Sequence, residues 1–210
     1  MDNIKTVLLI TGGSILLVML MIFGLSRMST GQEVGSTKLD ETILLDGAKL
    51  STSSGEVKVT VVNFSDMECP ACRSAHEIIG ELERTEGVRY VLRYFPLPIH
   101  KNAVISAKSV EAARQMGMGW EMVNLLFEKQ PEWSAERDTE ERLRSYAVEL
   151  GLNEEEFWQR VNSDETGQVV ATDNALASRL QLSGTPTIYI NGEQTAPQFV
   201  MGRVKELLAR

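Results

Sequence analysis

The chain has 210 residues, a length that suits one domain of about 150 to 180 residues with a short tail. Hydrophobic residues make up 43% of the sequence and charged residues 24%, a balance that predicts a packed core and excludes disorder over most of the length. The net charge of −8 argues against nucleic acid as a partner, because contacts to phosphates need a basic surface.

The amino-terminal segment is strongly apolar. Val7 to Leu25 contains no charged residue and is rich in Leu, Ile, Val and Met. As a helix it would nearly span the hydrocarbon core of a bilayer, which is about 30 Å thick. We therefore predict an N-terminal transmembrane helix, with residues 1–27 as the membrane anchor. The alternative is a removable signal peptide with a weak cleavage site at Gly24–Ser26, which the length of the apolar run disfavours.

The charges beside this segment do not set its orientation, because Lys5 precedes it and Arg27 follows it. When only a few residues precede an apolar segment, they usually stay on the cytoplasmic side while the rest of the chain is translocated. We therefore expect a single-pass protein of the cell membrane with its domain on the extracytoplasmic side. Residues 28–41 include a stretch rich in Gly, Ser and Thr and predict a flexible linker, and residues 42–210 are expected to fold.

A strand–helix–strand unit opens the predicted domain. Val57–Phe64 is dense in β-branched residues and predicts a buried strand, and Val88–Phe95 predicts a second one. Between them, apolar side chains recur at spacings of three and four, which is typical of a helix with one buried face. These side chains are Cys72, Ala75, Ile79 and Leu82. Gly87 is placed to end the helix.

A helical region of about 103–182 follows this βαβ unit. Within it, Asn153 is a suitable N-cap for one helix. Thr187–Ile190 and the residues after Asn191-Gly192 predict a hairpin with a tight turn, and Phe199–Ala209 predicts a closing helix. The predicted order is βαβ, helical block, ββα, which makes this an α/β protein.

The chain contains two cysteines, Cys69 and Cys72, at the start of the predicted helix. The unpaired N–H groups and partial positive charge of a helix start stabilise a thiolate, which is the species that attacks and leaves in disulfide exchange. Pro70 suits the first helical position, where its missing N–H costs nothing. We predict a redox pair with Cys69 as the exposed nucleophile and Cys72 as the resolving thiol.

Two other uses of the cysteines are weaker. A structural disulfide would close a ring of only four residues, for which the chain-entropy model gives about 2 kcal/mol. A zinc site normally needs four ligands, and the two histidines, His76 and His100, are the only imidazoles present. A CxxC motif at the helix start of a βαβ unit is instead typical of redox proteins, so we predict neither a metal nor a cofactor.

The side chains beside the cysteines bear on their reactivity. Asp66 and Glu68 would raise the pKa of Cys69 and Arg73 would lower it, depending on which of them face it. Met67 is a candidate for substrate contact, because methionine adapts to varied partners. His76 is expected at the surface or as a capping residue. The three tryptophans are expected in the core more than in a substrate groove. They are Trp120, Trp133 and Trp158.

Two stretches together resemble a known family. NFSDMECPAC, from Asn63 to Cys72, and SGTPT, from Ser183 to Thr187, are similar to the DsbA branch of the thioredoxin-like proteins. Phe95-Pro96-Leu97 also matches, and the resemblance covers roughly Val57 to Leu208. It implies a thioredoxin-like fold with an inserted helical domain.

The resemblance also implies roles for particular residues. It implies a cis peptide bond between Thr185 and Pro186, with the backbone of Thr185 offered to an extended substrate. Asn63 stands where many relatives have a buried acid that assists proton transfer. Pro70-Ala71 differs from the Pro-His pair of the most oxidising relatives, so Asn63, Glu68, Pro70 and Ala71 are expected to tune the site.

The predicted function is that of a thiol–disulfide oxidoreductase, an oxidase that introduces disulfides into exported proteins through Cys69 and Cys72. The expected partners are unfolded or reduced exported proteins and a membrane-bound thiol reoxidase. The alternatives are a disulfide reductase or isomerase, a thioredoxin-like peptide-binding chaperone without turnover, and, least favoured, a zinc-binding adaptor. Reduction potential, aggregation suppression without the cysteines and metal content would separate these alternatives.

Overall fold

A five-stranded mixed sheet forms the centre of the computed structural model, which describes residues 38–136 and 138–210. Its strands are β1 (Leu50–Ser53), β2 (Val59–Ser65), β3 (Val88–Tyr94), β4 (Thr187–Ile190) and β5 (Glu193–Thr195). The order across the sheet is β1-β3-β2-β4-β5. β2 and β3 are parallel and the other neighbouring pairs are antiparallel. The predicted parallel βαβ unit and the C-terminal hairpin are therefore confirmed.

Helices cover the sheet and form the insertion between β3 and β4. They are α1 (Glu41–Leu45), α2 (Pro70–Ile79), α3 (Ala103–Gln115), α4 (Gly119–Glu128), α5 (Gln130–Trp133), α6 (Thr139–Glu149), α7 (Glu154–Val161), α8 (Asp164–Arg179) and α9 (Pro197–Leu208), with a 3-10 turn at Gly80–Arg84 directly after α2. The predicted helical block corresponds to α3–α8. Helix α9 begins two residues before the predicted start, because Pro197 occupies its first turn.

Two short elements were not predicted from the sequence. Helix α1 begins after Asp40, whose carboxylate accepts a hydrogen bond of 2.9 Å from the N–H of Thr42. Strand β1 pairs with β3 at the edge of the sheet. Both elements are only one turn or a few residues long, so their conformation depends on packing against the rest of the chain more than on a local pattern.

Local signals place the ends of several elements. Asn153 caps α7 by accepting a hydrogen bond of 2.9 Å from the N–H of Glu156, as predicted. Asn191 and Gly192 have φ values of 47° and 85°, which is the left-handed pair that a two-residue hairpin turn requires. A Cβ atom at Gly192 would lie 2.1 Å from the carbonyl oxygen of Leu39, so only glycine fits there.

Both faces of the sheet are buried. Side chains of α2 and α9 cover one face, where Val61, Ile79, Ile188 and Val200 pack together. Side chains of α1 and α8 cover the other face, and their cluster includes Leu44, Phe64, Val91 and Leu176. Every residue of β2 is buried, which explains its unbroken apolar and β-branched sequence.

The helical insertion has its own core, which continues as far as the cysteines. Trp133, Met122, Leu143 and Phe157 are fully buried within the cluster that contains Cys72. Trp133 therefore confirms the prediction of a core position. Trp120 and Trp158 are partly buried and pack against the same cluster.

A buried ion pair links the sheet to two helices. The guanidinium of Arg93 donates to Asp173 Oδ1 at 2.6 Å and to the carbonyl oxygen of Leu44 at 2.8 Å. The two charged side chains are 0% and 2% exposed. Arg93 lies on β3, Asp173 on α8 and Leu44 on α1, so one guanidinium holds three elements together.

The predicted anchor at residues 1–27 lies outside the described residues, as do residues 28–37 of the predicted linker. Within residues 38–136 and 138–210, the structure contains no helix that is long and apolar enough to cross a membrane.

Asp173→Ala is expected to lower the free energy of unfolding by about 3–5 kcal/mol, because it leaves the Arg93 guanidinium buried without a counterion. Urea denaturation measures the loss. Glu206→Ala is the matched control, since Glu206 pairs with Arg203 at the surface and exposed pairs contribute at most about 1 kcal/mol. Equal losses in the two variants would contradict the assigned role of Arg93.

Candidate redox site

Cys69 occupies the N-cap position of α2, and Pro70 begins the helix. The carbonyl oxygen of Cys69 accepts hydrogen bonds from the N–H groups of Cys72 and Arg73 at 3.1 and 3.2 Å. Its own N–H donates to the carbonyl oxygen of Asp66 at 3.1 Å. The predicted position of the cysteine pair at a helix start is therefore confirmed, with Pro70 and Ala71 exposed between the two thiols.

The loop before β4 faces the first cysteine. The peptide bond between Thr185 and Pro186 is cis, as the resemblance implies. The sulfur of Cys69 lies 3.6 Å from the carbonyl oxygen of Thr185. The hydroxyl of Thr185 is buried and has no nitrogen or oxygen partner within the described residues. It is therefore free to interact with the sulfur of Cys69.

Both thiols are free and both are buried. Cys69 is 6% exposed and Cys72 is 2% exposed. Cys69 is thus less exposed than predicted, because the Thr185 loop packs over its sulfur. In addition, the amide of Gln130 from the helical insertion donates to the carbonyl oxygen of Cys69 at 3.0 Å.

The two sulfurs differ sharply in their tendency to ionise. A hydrogen bond from Cys72, assisted by the side chain of Thr185 and the N–H groups of Cys72 and Ala71, lowers the pKa of Cys69 to about 5 against the opposing effect of burial. Burial, together with the hydrogen bond that Cys72 gives to Cys69, raises the pKa of Cys72 far above its usual range. Cys69 is therefore the thiolate of the pair, and Cys72 carries the proton.

The two acidic residues before Cys69 are tied to the chain between β3 and α3. Asp66 accepts a hydrogen bond of 2.8 Å from the N–H of Leu97, and the ring of His100 lies 2.8 Å from the same carboxylate. Glu68 accepts hydrogen bonds from the main chain and side chain of Asn102. Asp66 is also close to Cys72, whose sulfur accepts a hydrogen bond of 3.5 Å from the Asp66 N–H.

Asn63 lies on β2, the middle strand of the sheet, six residues before Cys69. It is buried, and its amide donates to the hydroxyl of Tyr90 at 3.2 Å. Tyr90 in turn stacks on Trp120 with ring centroids 5.2 Å apart. Burial raises the pKa of Tyr90, so this phenol stays neutral and the pocket offers no carboxylate at the position of Asn63.

The structure corrects the expectation for Met67. Its side chain is 1% exposed and belongs to the core of the helical insertion. Its carbonyl oxygen accepts a hydrogen bond of 2.7 Å from Gln130. A substrate cannot reach a side chain held in this way, so Met67 supports the loop from inside. No sequence signal identified Gln130, because it lies 61 residues from Cys69 along the chain.

His76 is also more enclosed than expected. Its Nε2 atom lies 2.8 Å from Oδ1 of Asn124, and its ring packs on Phe127. Burial lowers its pKa. Within the described ranges, no group of three or more His, Cys, Asp or Glu side chains is arranged to hold a metal ion.

These features together define a thioredoxin-like domain with a thiol pair at a helix start and a cis-proline loop opposite. The chain belongs to the thioredoxin family, whose model, described as "Thioredoxin", matches residues 53–208.

Solved structures show the same fold. The thiol-disulfide exchange protein alpha-DsbA2 from Wolbachia pipientis superposes with a TM-score of 0.68 at 20% identity, covering 80% of this chain and 91% of that one. BdbD from Bacillus subtilis gives a TM-score of 0.66 at 21% identity, covering 79% of this chain and 95% of that one. At these identities the likeness shows a shared thioredoxin-like fold.

Curated relatives match by sequence over part of their length. The Na(+)/H(+) antiporter NhaA 3 of Salinispora tropica is 36% identical over 141 residues, which is 66% of this chain and 21% of that protein. NhaA 1 of Salinispora arenicola is 37% identical over 142 residues, again 66% and 21%. The chain thus spans about a fifth of the length of these relatives. The antiporter name describes those longer proteins.

The absorbance of a thiolate at 240 nm is expected to titrate with a midpoint near the pKa of about 5 found for Cys69. The signal should rise as the pH increases through that value, because the thiol loses its proton there. Cys69→Ser should abolish this transition, and Cys72→Ala should shift it to higher pH by removing the hydrogen bond to the thiolate. A midpoint near the ordinary value of about 8.5 in the unaltered chain would contradict this result.

Proposed function

We propose that this protein is a thiol–disulfide oxidoreductase that acts as an oxidase and introduces disulfides into exported polypeptides. The observation that carries the proposal is the placement of Cys69 at the helix start, where its pKa is lowered, and of Cys72 in the core, where its pKa is raised. A thiolate at Cys69 stabilises the reduced form of the pair relative to the disulfide, and a stable reduced form makes the disulfide a strong oxidant.

The proposed reaction transfers one disulfide from the cysteine pair to the polypeptide in two exchange steps. A thiolate of the reduced polypeptide attacks the Cys69 sulfur of the Cys69–Cys72 disulfide, and the sulfur of Cys72 leaves and takes up a proton. A second thiolate of the polypeptide then attacks the substrate sulfur of the mixed disulfide, and Cys69 leaves as a thiolate. Two electrons pass to the protein, and the polypeptide gains one disulfide. The low pKa of Cys69 makes it a good leaving group in the second step.

The substrate segment would lie in an extended conformation beside Thr185. The carbonyl oxygen of this residue lies 3.6 Å from the Cys69 sulfur, so a main-chain N–H of the substrate that bonds to it would be held next to the reacting sulfur. Main-chain recognition of this kind tolerates different side chains, which suits an enzyme that oxidises many polypeptides.

The pair must be reoxidised after each turnover. We assign this step to a membrane-bound thiol oxidase, and the apolar segment within residues 1–27 would hold the domain near it on the extracytoplasmic side of the cell membrane. Such an anchor raises the effective concentration of the two partners. We expect the full-length protein to remain in the membrane fraction after washing with alkaline carbonate. A soluble form that lacks the first residues would indicate a cleaved signal peptide.

The oxidation of a reduced, unfolded test protein provides the direct test. Cys69→Ser and Cys72→Ser are each expected to lower the rate by on the order of 100-fold or more, because the two sulfurs act as a unit. With the disulfide form of the test protein, only Cys72→Ser should accumulate a mixed disulfide, since its Cys69 can attack the disulfide and no thiol at position 72 is present to release the product. Ser74→Ala, an exposed change on the same helix, is the matched control. Unchanged oxidation by Cys69→Ser would refute the mechanism.

The reduction potential tests the direction of the reaction. Equilibration with glutathione is expected to give a potential above about −200 mV, in the range of disulfide-introducing proteins. A value near about −270 mV, typical of thioredoxin, would favour a reductase instead.

A further inference from the structure

The carboxylate of Asp66 is buried in the loop between β2 and α2, residues 66–69, which we call the redox loop. Its side chain is 0% exposed. One oxygen accepts a hydrogen bond of 2.8 Å from the N–H of Glu68, and the other accepts one of 2.8 Å from the N–H of Leu97. The ring nitrogen Nδ1 of His100 lies 2.8 Å from this second oxygen. His100 is therefore the only titratable side chain that contacts this carboxylate within the described residues.

Asp66 also contacts both members of the cysteine pair through its main chain. Its carbonyl oxygen accepts a hydrogen bond of 3.1 Å from the N–H of Cys69, and its own N–H donates to the sulfur of Cys72 at 3.5 Å. The Asp66 carboxylate therefore belongs to the same short loop as Cys69, three residues away along the chain. A like charge near a thiolate destabilises it unless a cation compensates that charge.

We propose that His100 is a positioning residue for the redox pair, whose imidazolium neutralises the buried Asp66 carboxylate and thereby keeps Cys69 in its thiolate form. The inference rests on the proposed function, because the thiolate matters only if the pair exchanges disulfides. Its own observable is the ionisation of Cys69, which is measured without any substrate.

The surroundings of His100 agree with a protonated ring. Its side chain is 17% exposed, so a proton can exchange with solvent. Asp66, Glu68 and Cys69 are the charged groups that face it. Lys101, the next residue, donates instead to the carbonyl oxygen of Glu136 at 3.2 Å. Burial disfavours the charged ring, but the hydrogen bond and charge of Asp66, followed by the charges of Cys69 and Glu68, leave the pKa of His100 raised.

The direction of the pH effect follows from these signs. Because the pKa of His100 is raised, its positive charge persists above the ordinary value of about 6.5 and is lost as the pH rises further. Ionisation of Cys69 raises the pKa of His100. By reciprocity, the positive charge of His100 lowers the pKa of Cys69 by the same amount. When the two cysteines form a disulfide, this thiolate is gone and His100 should lose its proton more readily.

Substitution of His100 separates charge from packing. His100→Gln is expected to raise the midpoint of the 240 nm thiolate titration by about half a pH unit or more. It should also shift the equilibrium with glutathione about threefold towards the protein disulfide. His100→Lys, which retains a cation on a flexible side chain, should keep both values near those of the unaltered chain. His76→Gln is the matched control, because it removes the other histidine without touching Asp66.

An equal shift in His100→Gln and His100→Lys, or no shift in either, would overturn the proposal, whereas a purely structural role would lower thermal stability without separating the two variants. If His100→Gln does not fold, the unaltered full chain decides the matter by NMR titration of His100. The proposal requires a higher pKa for His100 in the dithiol form than in the disulfide form, and equal values would refute it.

These outcomes are independent of the oxidase assay. A chain that fails to oxidise polypeptides but shows the His100-dependent thiolate shift refutes the proposed function and leaves the pairing of His100 with Cys69 in place. A chain that oxidises polypeptides without that shift refutes the role of His100 alone.

Discussion

The unequal ionisation of two sulfurs at the start of one helix is the interaction on which the chemistry of this protein depends. Cys69 occupies the N-cap of α2, where N–H groups of the first turn and the thiol of Cys72 favour its thiolate. Cys72 lies one turn inward and is buried, which favours its neutral form. Because the sulfurs belong to one rigid turn, neither can adopt the environment of the other. In the proposed mechanism, this placement fixes Cys69 as the attacking sulfur and Cys72 as the resolving one.

The environment of these sulfurs is assembled from three parts of the chain. The pairing of β2 with both β3 and β4 brings the end of β2 next to the Thr185 loop. The helical insertion then closes the site from the other side, because Gln130 donates to the carbonyl oxygens of Met67 and Cys69. The insertion thus holds the redox loop in place. Its core is continuous with the core around Cys72, so loss of packing there would alter the cysteines as well.

The distribution of acidic groups distinguishes this site. At the position of Asn63 a neutral amide contacts the neutral phenol of Tyr90, so the sheet carries no charge there. The acidic groups lie instead in the loop before Cys69, where Asp66 is paired with His100 and Glu68 with Asn102. A buried carboxylate beside a thiolate is tolerated only when its charge is balanced. The acidic groups near the cysteines are thus tied to the segment between β3 and α3 through His100 and Asn102.

The sequence by itself determined the βαβ unit, the cap at Asn153, the hairpin turn at Asn191 and Gly192, the helical insertion and the position of the cysteines at a helix start. Each of these follows from short-range periodicity, turn chemistry or the properties of a helix terminus. The tertiary structure alone decided that Met67 is buried, that Cys69 is nearly covered, and that Gln130 and His100 contact the redox loop. These contacts join residues 34 to 63 positions apart, and no local pattern records which distant side chain will complete a buried hydrogen bond.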